Sequence, residues 1–78
     1  MKQKNLTKGK VTGVIANLVM VDVDGPVSQN EICYINLDNV KLMAEVIKVF
    51  EKSAYVQVFE STSGLKVGAE VEFYQGML

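Results

Sequence analysis

Short runs of valine and isoleucine, each ended by turn-forming residues, fill the chain from residue 9 onward and constrain its fold more than any other feature. Runs that are rich in β-branched side chains and bounded by Gly, Asn, Asp or Pro are typical of β-strands. No run approaches the ~18 apolar residues that a membrane-spanning helix needs. The pattern predicts strands over residues 10–16, 18–23, 31–35, 40–50, 54–60 and 70–74.

Six strands in a chain of 78 residues predict an all-β fold, a small antiparallel barrel that is closed or nearly closed. An open sheet of so many short strands would leave long unpaired edges, which promote aggregation. Residues 1–8 are polar, lysine-rich and aperiodic, and we interpret them as a flexible tail. Residues 9–78 are then a single barrel domain.

The longest run, residues 40–50, has a conflict in its alternation. Glu45 and Lys48 are three positions apart, so a regular strand would place them on opposite faces and cannot expose both to solvent. The Val46-Ile47 pair between them predicts a bulge with one extra residue, which would reverse the faces to which the following side chains point. Barrels use such bulges to bend a strand. A helix is the alternative interpretation, because the apolar residues at 42, 46, 49 and 50 follow helical spacing. The β-branched content and the neighbouring strands favour the strand.

The residue types present exclude most catalytic and metal-binding chemistry. The chain has no histidine, which is the commonest general base and metal ligand, and it has one cysteine. Zinc sites and Ser-His-Asp or Cys-His nucleophile arrangements therefore cannot be assembled. Cys33 cannot form an internal disulfide, which favours a reducing, cytosolic setting, and its apolar neighbours indicate a small buried side chain.

Three local motifs resemble binding loops without meeting their requirements. The segment Asp22-Val23-Asp24-Gly25 begins like a calcium loop, but the remaining ligands are missing at the required spacing. The segments Thr7-Lys8-Gly9-Lys10 and Gly64-Leu65-Lys66-Val67-Gly68 lack the spacing of a phosphate-binding loop, so we interpret their glycines as turn residues. Asn17 likewise predicts a left-handed turn between the first two strands. The sequence predicts no catalytic residue, no metal site and no cofactor site in this chain.

Charge and aromatic content bear on a second class of function, nucleic-acid binding. The net charge is −1, and without the first ten residues four lysines face nine acidic residues, a net charge of −5. A nucleic-acid binder normally carries a basic footprint on its folded part. Tyr34, Tyr55, Phe59 and Tyr74 could stack on bases in an oligonucleotide-binding or translation-factor-like barrel, but the acidic surroundings favour core and subunit-contact roles.

Four segments of the chain are informative in their order and spacing: Gly9–Val14, Leu18–Val21, Leu42–Val49 and Val56–Gly68. Together they resemble the N-terminal barrel of the head subunits of V-type, archaeal- or vacuolar-like ATPases. The resemblance extends over nearly the whole chain after the tail. Within that family the 62–68 loop and the 44–47 strand are more similar to the catalytic A subunit than to the B subunit, whereas Ala16-Asn17 replaces the usual Gly-Pro after the first strand.

This resemblance implies a role in assembly and not in catalysis. In such subunits ATP and Mg²⁺ bind to a separate domain, so the resemblance implies that residues 9–78 are the N-terminal fragment of a longer subunit. The barrels of alternating A and B subunits form a crown on a hexameric head. That head is cytoplasmic and peripheral to a membrane sector that moves protons or sodium ions. The partners implied are neighbouring head subunits, with no nucleic acid and no direct membrane contact. The outward residues Tyr55, Gln57, Phe59 and Tyr74 are the predicted subunit-contact residues.

Overall fold

Residues 7–74 are described by a computed structural model, and they form strands connected by turns and loops. The predicted all-β fold is confirmed, and the helical alternative for residues 40–50 is wrong. The strands are β1 (Thr7–Ile15), β2 (Leu18–Val23), β3 (Ile32–Leu37), β4 (Val40–Val49), β5 (Ser53–Val58) and β6 (Glu70–Phe73).

The six strands close into a barrel in the order β1-β2-β5-β4-β3-β6, and β6 also pairs with β1. Every neighbouring pair is antiparallel. The closing strand β6 has only four residues, and it lies between β1 and β3. Closure pairs the edges that six short strands would otherwise leave open, as the sequence predicted.

The barrel has two distinct ends. At the first, which we call the entry end, Thr7 pairs with Phe73, so the first and last strands meet there. At the other, which we call the turn end, two-residue turns connect β1 to β2 and β3 to β4. A longer loop, residues 59–69, leaves β5 at the turn end and returns to β6.

The predicted bulge in β4 is confirmed. Val46 is paired with Val56 and Lys48 with Tyr55, so Ile47 is the extra residue. Val46 is fully buried, while Ile47 and Lys48 are both exposed, as the reversal of facing requires. A second irregularity at Thr12 in β1 was not predicted. The charged residues near it, Lys8 and Lys10, are two positions apart and fit regular alternation.

The inward side chains form one core inside the barrel. Alternate residues of β2 and β5 contribute Val19, Val21, Ala54, Val56 and Val58, in agreement with the alternation of the sequence. Cys33 is fully buried, which confirms its interpretation as a small apolar side chain. The other core members are Val11, Ile35, Leu42, Ala44, Val46, Val71 and Phe73.

The predicted tail boundary differs from the structure, because β1 begins at Thr7 and not after Lys8. Thr7 Oγ1 donates a hydrogen bond to the Pro26 carbonyl at 2.7 Å, and Lys8 N donates to Asp24 Oδ1 at 2.9 Å. Pairing with β6 and hydrogen bonds to the segment after β2, both distant in sequence, therefore order two residues whose local composition indicated a tail. The remainder of the predicted tail, residues 1–6, lies outside the described residues. The third strand also extends further than predicted, to Leu37.

The turn between β1 and β2 differs from its prediction in one residue. Ala16, and not Asn17, has the left-handed backbone, with φ of 55°. Asn17 acts through its side chain, whose Nδ2 donates hydrogen bonds to the carbonyls of Val58 and Glu60, each at 2.9 Å. The turn is thereby attached to the chain that leaves β5.

Candidate functional site

The four predicted contact residues lie on two sides of the barrel. Tyr55 and Gln57 are on the outer face of β5, and Phe59, which is 54% exposed, follows that strand at the turn end. Tyr74 follows β6 at the entry end. Because β5 and β6 are three strands apart in both directions around the barrel, the four residues form no single surface.

Tyr55 belongs to a patch that we call the β4–β5 patch, made of Ile47, Lys48, Phe50 and Tyr55. The rings of Phe50 and Tyr55 pack edge to face with centroids 4.9 Å apart, an arrangement that aromatic pairs prefer. The Lys48 ammonium lies 6.0 Å from the centre of the Phe50 ring. The bulge places Ile47 outward beside them, so this patch presents apolar side chains and one cation to solvent.

Tyr74 belongs to a second surface, the β3–β6 patch, made of Tyr34, Lys41, Glu72 and Tyr74. The rings of Tyr34 and Tyr74 are perpendicular, with centroids 5.5 Å apart. Glu72 Oε1 accepts hydrogen bonds from Lys41 Nζ and from Tyr74 Oη, both at 3.0 Å. The sequence could not identify Lys41, Glu72 and Tyr34 as one group, because they come from three strands whose register is set by long-range pairing.

The charges of the β3–β6 patch stabilise one another. The hydrogen bond from Lys41, and then that from Tyr74, lowers the pKa of Glu72. The same two hydrogen bonds raise the pKa of Lys41 and the pKa of Tyr74. Glu72 is therefore an anion at neutral pH, and its carboxylate accepts both hydrogen bonds on the outer face of β6.

The cysteine has no catalytic features. Burial, and secondarily the charge of Glu31, raises the pKa of Cys33 to about 12, so the thiol stays protonated at neutral pH. Glu31 is itself buried, and its Oε1 accepts a hydrogen bond from Ser28 N at 2.8 Å. Among residues 7–74, no three or more His, Cys, Asp or Glu side chains are grouped so that they could hold a metal ion.

The glycines of the two Gly-Lys segments have different roles. Gly64 and Gly68 have φ of 88° and 96°, which confirms their interpretation as turn residues. For Gly9 that interpretation is wrong, because it lies within β1. A Cβ atom on Gly9 would lie 2.5 Å from the backbone oxygen of Asp22, so the missing side chain permits close packing of β1 on β2.

The lysines next to Gly9 lie on the outer face of the sheet and not in a phosphate-binding loop. A shallow depression over β2, β1 and β6 has Lys8 and Lys10 at its centre. Carboxylates flank them on both sides, since Lys10 is paired with Asp22 on β2 and with Glu70 on β6. The first residues of the calcium-like segment thus belong to this mixed-charge face, which is unlike the cationic groove of a nucleic-acid binder.

Comparison with known proteins identifies a family for this fold. Residues 6–75 match the family model described as "ATP synthase alpha/beta family, beta-barrel domain". Residues 7–74 contain no helix that is long and apolar enough to cross a membrane.

Individual relatives are V-type ATP synthase alpha chains. The chain is 46% identical over 71 residues to that of Borrelia duttonii (strain Ly), and 47% identical over 72 residues to that of Borreliella afzelii (strain PKo). It is 44% identical over 72 residues to that of Treponema denticola. These alignments cover 91–92% of this chain and 12% of each relative. They favour the resemblance to V-type ATPase subunits over the oligonucleotide-binding alternative.

Proposed function

This chain belongs to the ATP synthase alpha/beta family as its β-barrel domain, and from that premise we propose that it is a non-catalytic assembly barrel. Its role is to hold neighbouring subunits together in the hexameric head of a rotary, V-type ATP synthase or ATPase. The observation that carries the proposal is the match of residues 6–75 to this domain, together with similarity to alpha chains over nine-tenths of the chain. The same similarity supports the A subunit over the B subunit.

The surface of the barrel supports an assembly role. A member of a closed ring contacts two neighbours, so it needs two contact surfaces on different sides. The β4–β5 and β3–β6 patches have those positions, and they include two of the four predicted contact residues, Tyr55 and Tyr74. Tyrosine and other aromatic residues are enriched at the centres of protein interfaces.

Catalysis in this proposal belongs to the rest of the parent subunit. The chain spans 12% of the length of its relatives, and the parent's remaining length would supply the site for ATP and Mg²⁺. The barrel would be the N-terminal part of that subunit, in a cytoplasmic head peripheral to the ion-translocating sector. Its own reactive groups support a passive role, since the cysteine is buried with a raised pKa.

Assembly is tested with a chimera. The chain replaces the 72 matched residues of the Treponema denticola alpha chain, which is co-expressed with the other head subunits of that organism. We expect the chimera to assemble into a head of the same mass as the unmodified subunit, by sedimentation and native mass spectrometry. A soluble, folded chimera that remains unassembled, under conditions where the unmodified alpha chain assembles, would refute the proposal.

The absence of nucleotide chemistry is tested separately with the chain alone. Isothermal titration calorimetry with Mg-ATP should give only the heat of dilution. Micromolar binding of ATP would contradict a purely structural role.

A further inference from the structure

The pair Asp24-Gly25, which follows β2, is the only place in the chain where an aspartate or asparagine precedes a glycine. A backbone nitrogen can attack the side-chain carboxyl group of the residue before it, and glycine leaves that approach open because it has no Cβ. Asp22 and Asp38 precede larger residues, whose side chains crowd the same nitrogen. Asp24 is therefore the aspartate of this chain that is chemically most prone to the reaction.

The reaction is a dehydration followed by a hydrolysis. Gly25 N forms a bond to Cγ of the protonated Asp24 carboxyl group, and one carboxyl oxygen leaves as water with its own proton and the amide proton. Water then opens the resulting succinimide ring. Attack on Cγ restores aspartate, whereas attack on the main-chain carbonyl of Asp24 gives isoaspartate, in which the backbone runs through the side chain. The water lost in the first step is regained in the second, so no other reactant is needed.

In the folded barrel the first two residues of β1 hold this pair in an unreactive arrangement. Asp24 Oδ1 accepts a hydrogen bond from Lys8 N at 2.9 Å, and Asp24 N donates to the Lys8 carbonyl at 2.9 Å. The carboxylate is thereby directed across to β1, and ring closure requires it to turn back along its own chain onto Gly25 N. On the other side of the pair, Thr7 Oγ1 donates to the Pro26 carbonyl at 2.7 Å.

Gly25 is also packed against β1. A Cβ atom at Gly25 would lie 3.0 Å from Thr7 Oγ1, and Thr7 itself is only 3% exposed. We propose that Asp24-Gly25 is a site of succinimide and isoaspartate formation that Thr7 and Lys8 keep closed, so that it reacts when the start of β1 opens. This inference is independent of the proposed assembly function.

Isoaspartate at this position would keep the start of β1 open. It adds one methylene group to the backbone, and it moves the carboxylate away from the place where Asp24 accepts from Lys8 N. Thr7 pairs with Phe73 at the same end of the barrel, where the first and last strands meet. The modification therefore converts a transient opening of the entry end into a persistent one.

Ageing of the full chain at neutral pH tests the inference, with a free peptide of residues 21–28 as the unstructured reference. Isoaspartate at Asp24 is measured by peptide mapping with mass spectrometry, and by methyl transfer from an isoaspartyl carboxyl methyltransferase. Each of the three hydrogen bonds to Thr7 and Lys8 should reduce opening about fivefold. We therefore expect the folded chain to react about a hundredfold more slowly than the peptide. Equal rates would overturn the protection by β1, and a peptide without isoaspartate at Asp24 would overturn the site.

A pair of threonine variants locates the protection. Thr7→Val removes the hydroxyl that donates to Pro26 and should speed the reaction in the folded chain about fivefold. Thr12→Val is the matched control, because it removes a hydrogen bond from the same strand to the Met20 carbonyl, and it should leave the rate unchanged. Asp24→Asn in each background shortens the experiment, since an amide expels ammonia more readily than a carboxylate expels water. Equal acceleration by the two threonine variants, or none by Thr7→Val, would refute control by the start of β1.

Discussion

Replacing Asn17 with alanine should destabilise the barrel more than its surface position suggests. The amide of Asn17 donates to the carbonyls of Val58 and Glu60 at 2.9 Å, and these residues are more than 40 positions away in the sequence. In addition, Val58 N donates to the Asn17 carbonyl at 2.9 Å, and this bond would survive the substitution. The side chain therefore attaches the β1–β2 turn to the end of β5.

The magnitude follows from these two bonds. Each side-chain hydrogen bond contributes about 1 kcal/mol, and the carbonyl of Val58 is part-buried, so its loss of a partner carries the larger penalty. We expect Asn17→Ala to lower the free energy of unfolding by about 2 kcal/mol. For a domain of this size that corresponds to a fall in Tm of about 8–16 °C. Asn17→Asp should be at least as damaging at neutral pH, because a carboxylate would face two carbonyl oxygens.

Urea denaturation followed by circular dichroism measures the change, and Asn39→Ala is the matched control. Asn39 also follows a left-handed residue, Asp38 with φ of 54°, in a two-residue turn, but its side chain is exposed. We expect the control to change the free energy of unfolding by less than about 0.5 kcal/mol. Equal effects of the two substitutions would refute the role assigned to the Asn17 amide.

Three further outcomes are expected. Gly9→Ala should lower the free energy of unfolding in urea by about 1–3 kcal/mol, because its Cβ would lie 2.5 Å from a backbone oxygen. Gly13→Ala should lower it clearly less, because the Cβ there meets only the flexible side chain of Met20. The reverse order of the two effects would contradict the packing. Cys33 should react with a thiol reagent far more slowly in native buffer than in urea, and equal rates would contradict its burial and its pKa of about 12. By carboxyl NMR the pKa of Glu72 should lie below that of an ordinary glutamate and rise in Lys41→Met, and an unchanged value would count against the pair. Because that pKa is lowered, the small stabilisation from the pair is present above the unfolded-state pKa and is lost as pH falls through the folded-state value.

The features that could be predicted from the sequence are those encoded by the alternation of side chains along a single strand. Alternation in β2 and β5 identified their buried faces, and the conflict between Glu45 and Lys48 identified the bulge at Ile47. These signals are local, since side chains alternate with a period of two wherever a strand has one buried face.

The remaining features depend on which strands pair, and local patterns do not encode that. Lys8 had the composition of a tail, yet pairing with β6 places it in a strand. The group formed by Tyr34, Lys41 and Glu72 requires the register of β3 against both β4 and β6. Asn17 was identified as a turn residue, but the hydrogen bonds from its side-chain amide to the carbonyls of Val58 and Glu60 depend on contacts across 41 and 43 positions.

The shortness of β6 has a consequence for aggregation. This four-residue strand alone separates β1 from β3, so its detachment would convert a barrel without edges into a five-stranded open sheet. Both newly exposed edges would present unpaired backbone groups, the template on which further chains add. Opening one short strand exposes less surface than global unfolding and therefore occurs more often. The shelf life of the isolated domain at high concentration should thus depend on how often β6 detaches, and less on the stability of the barrel as a whole.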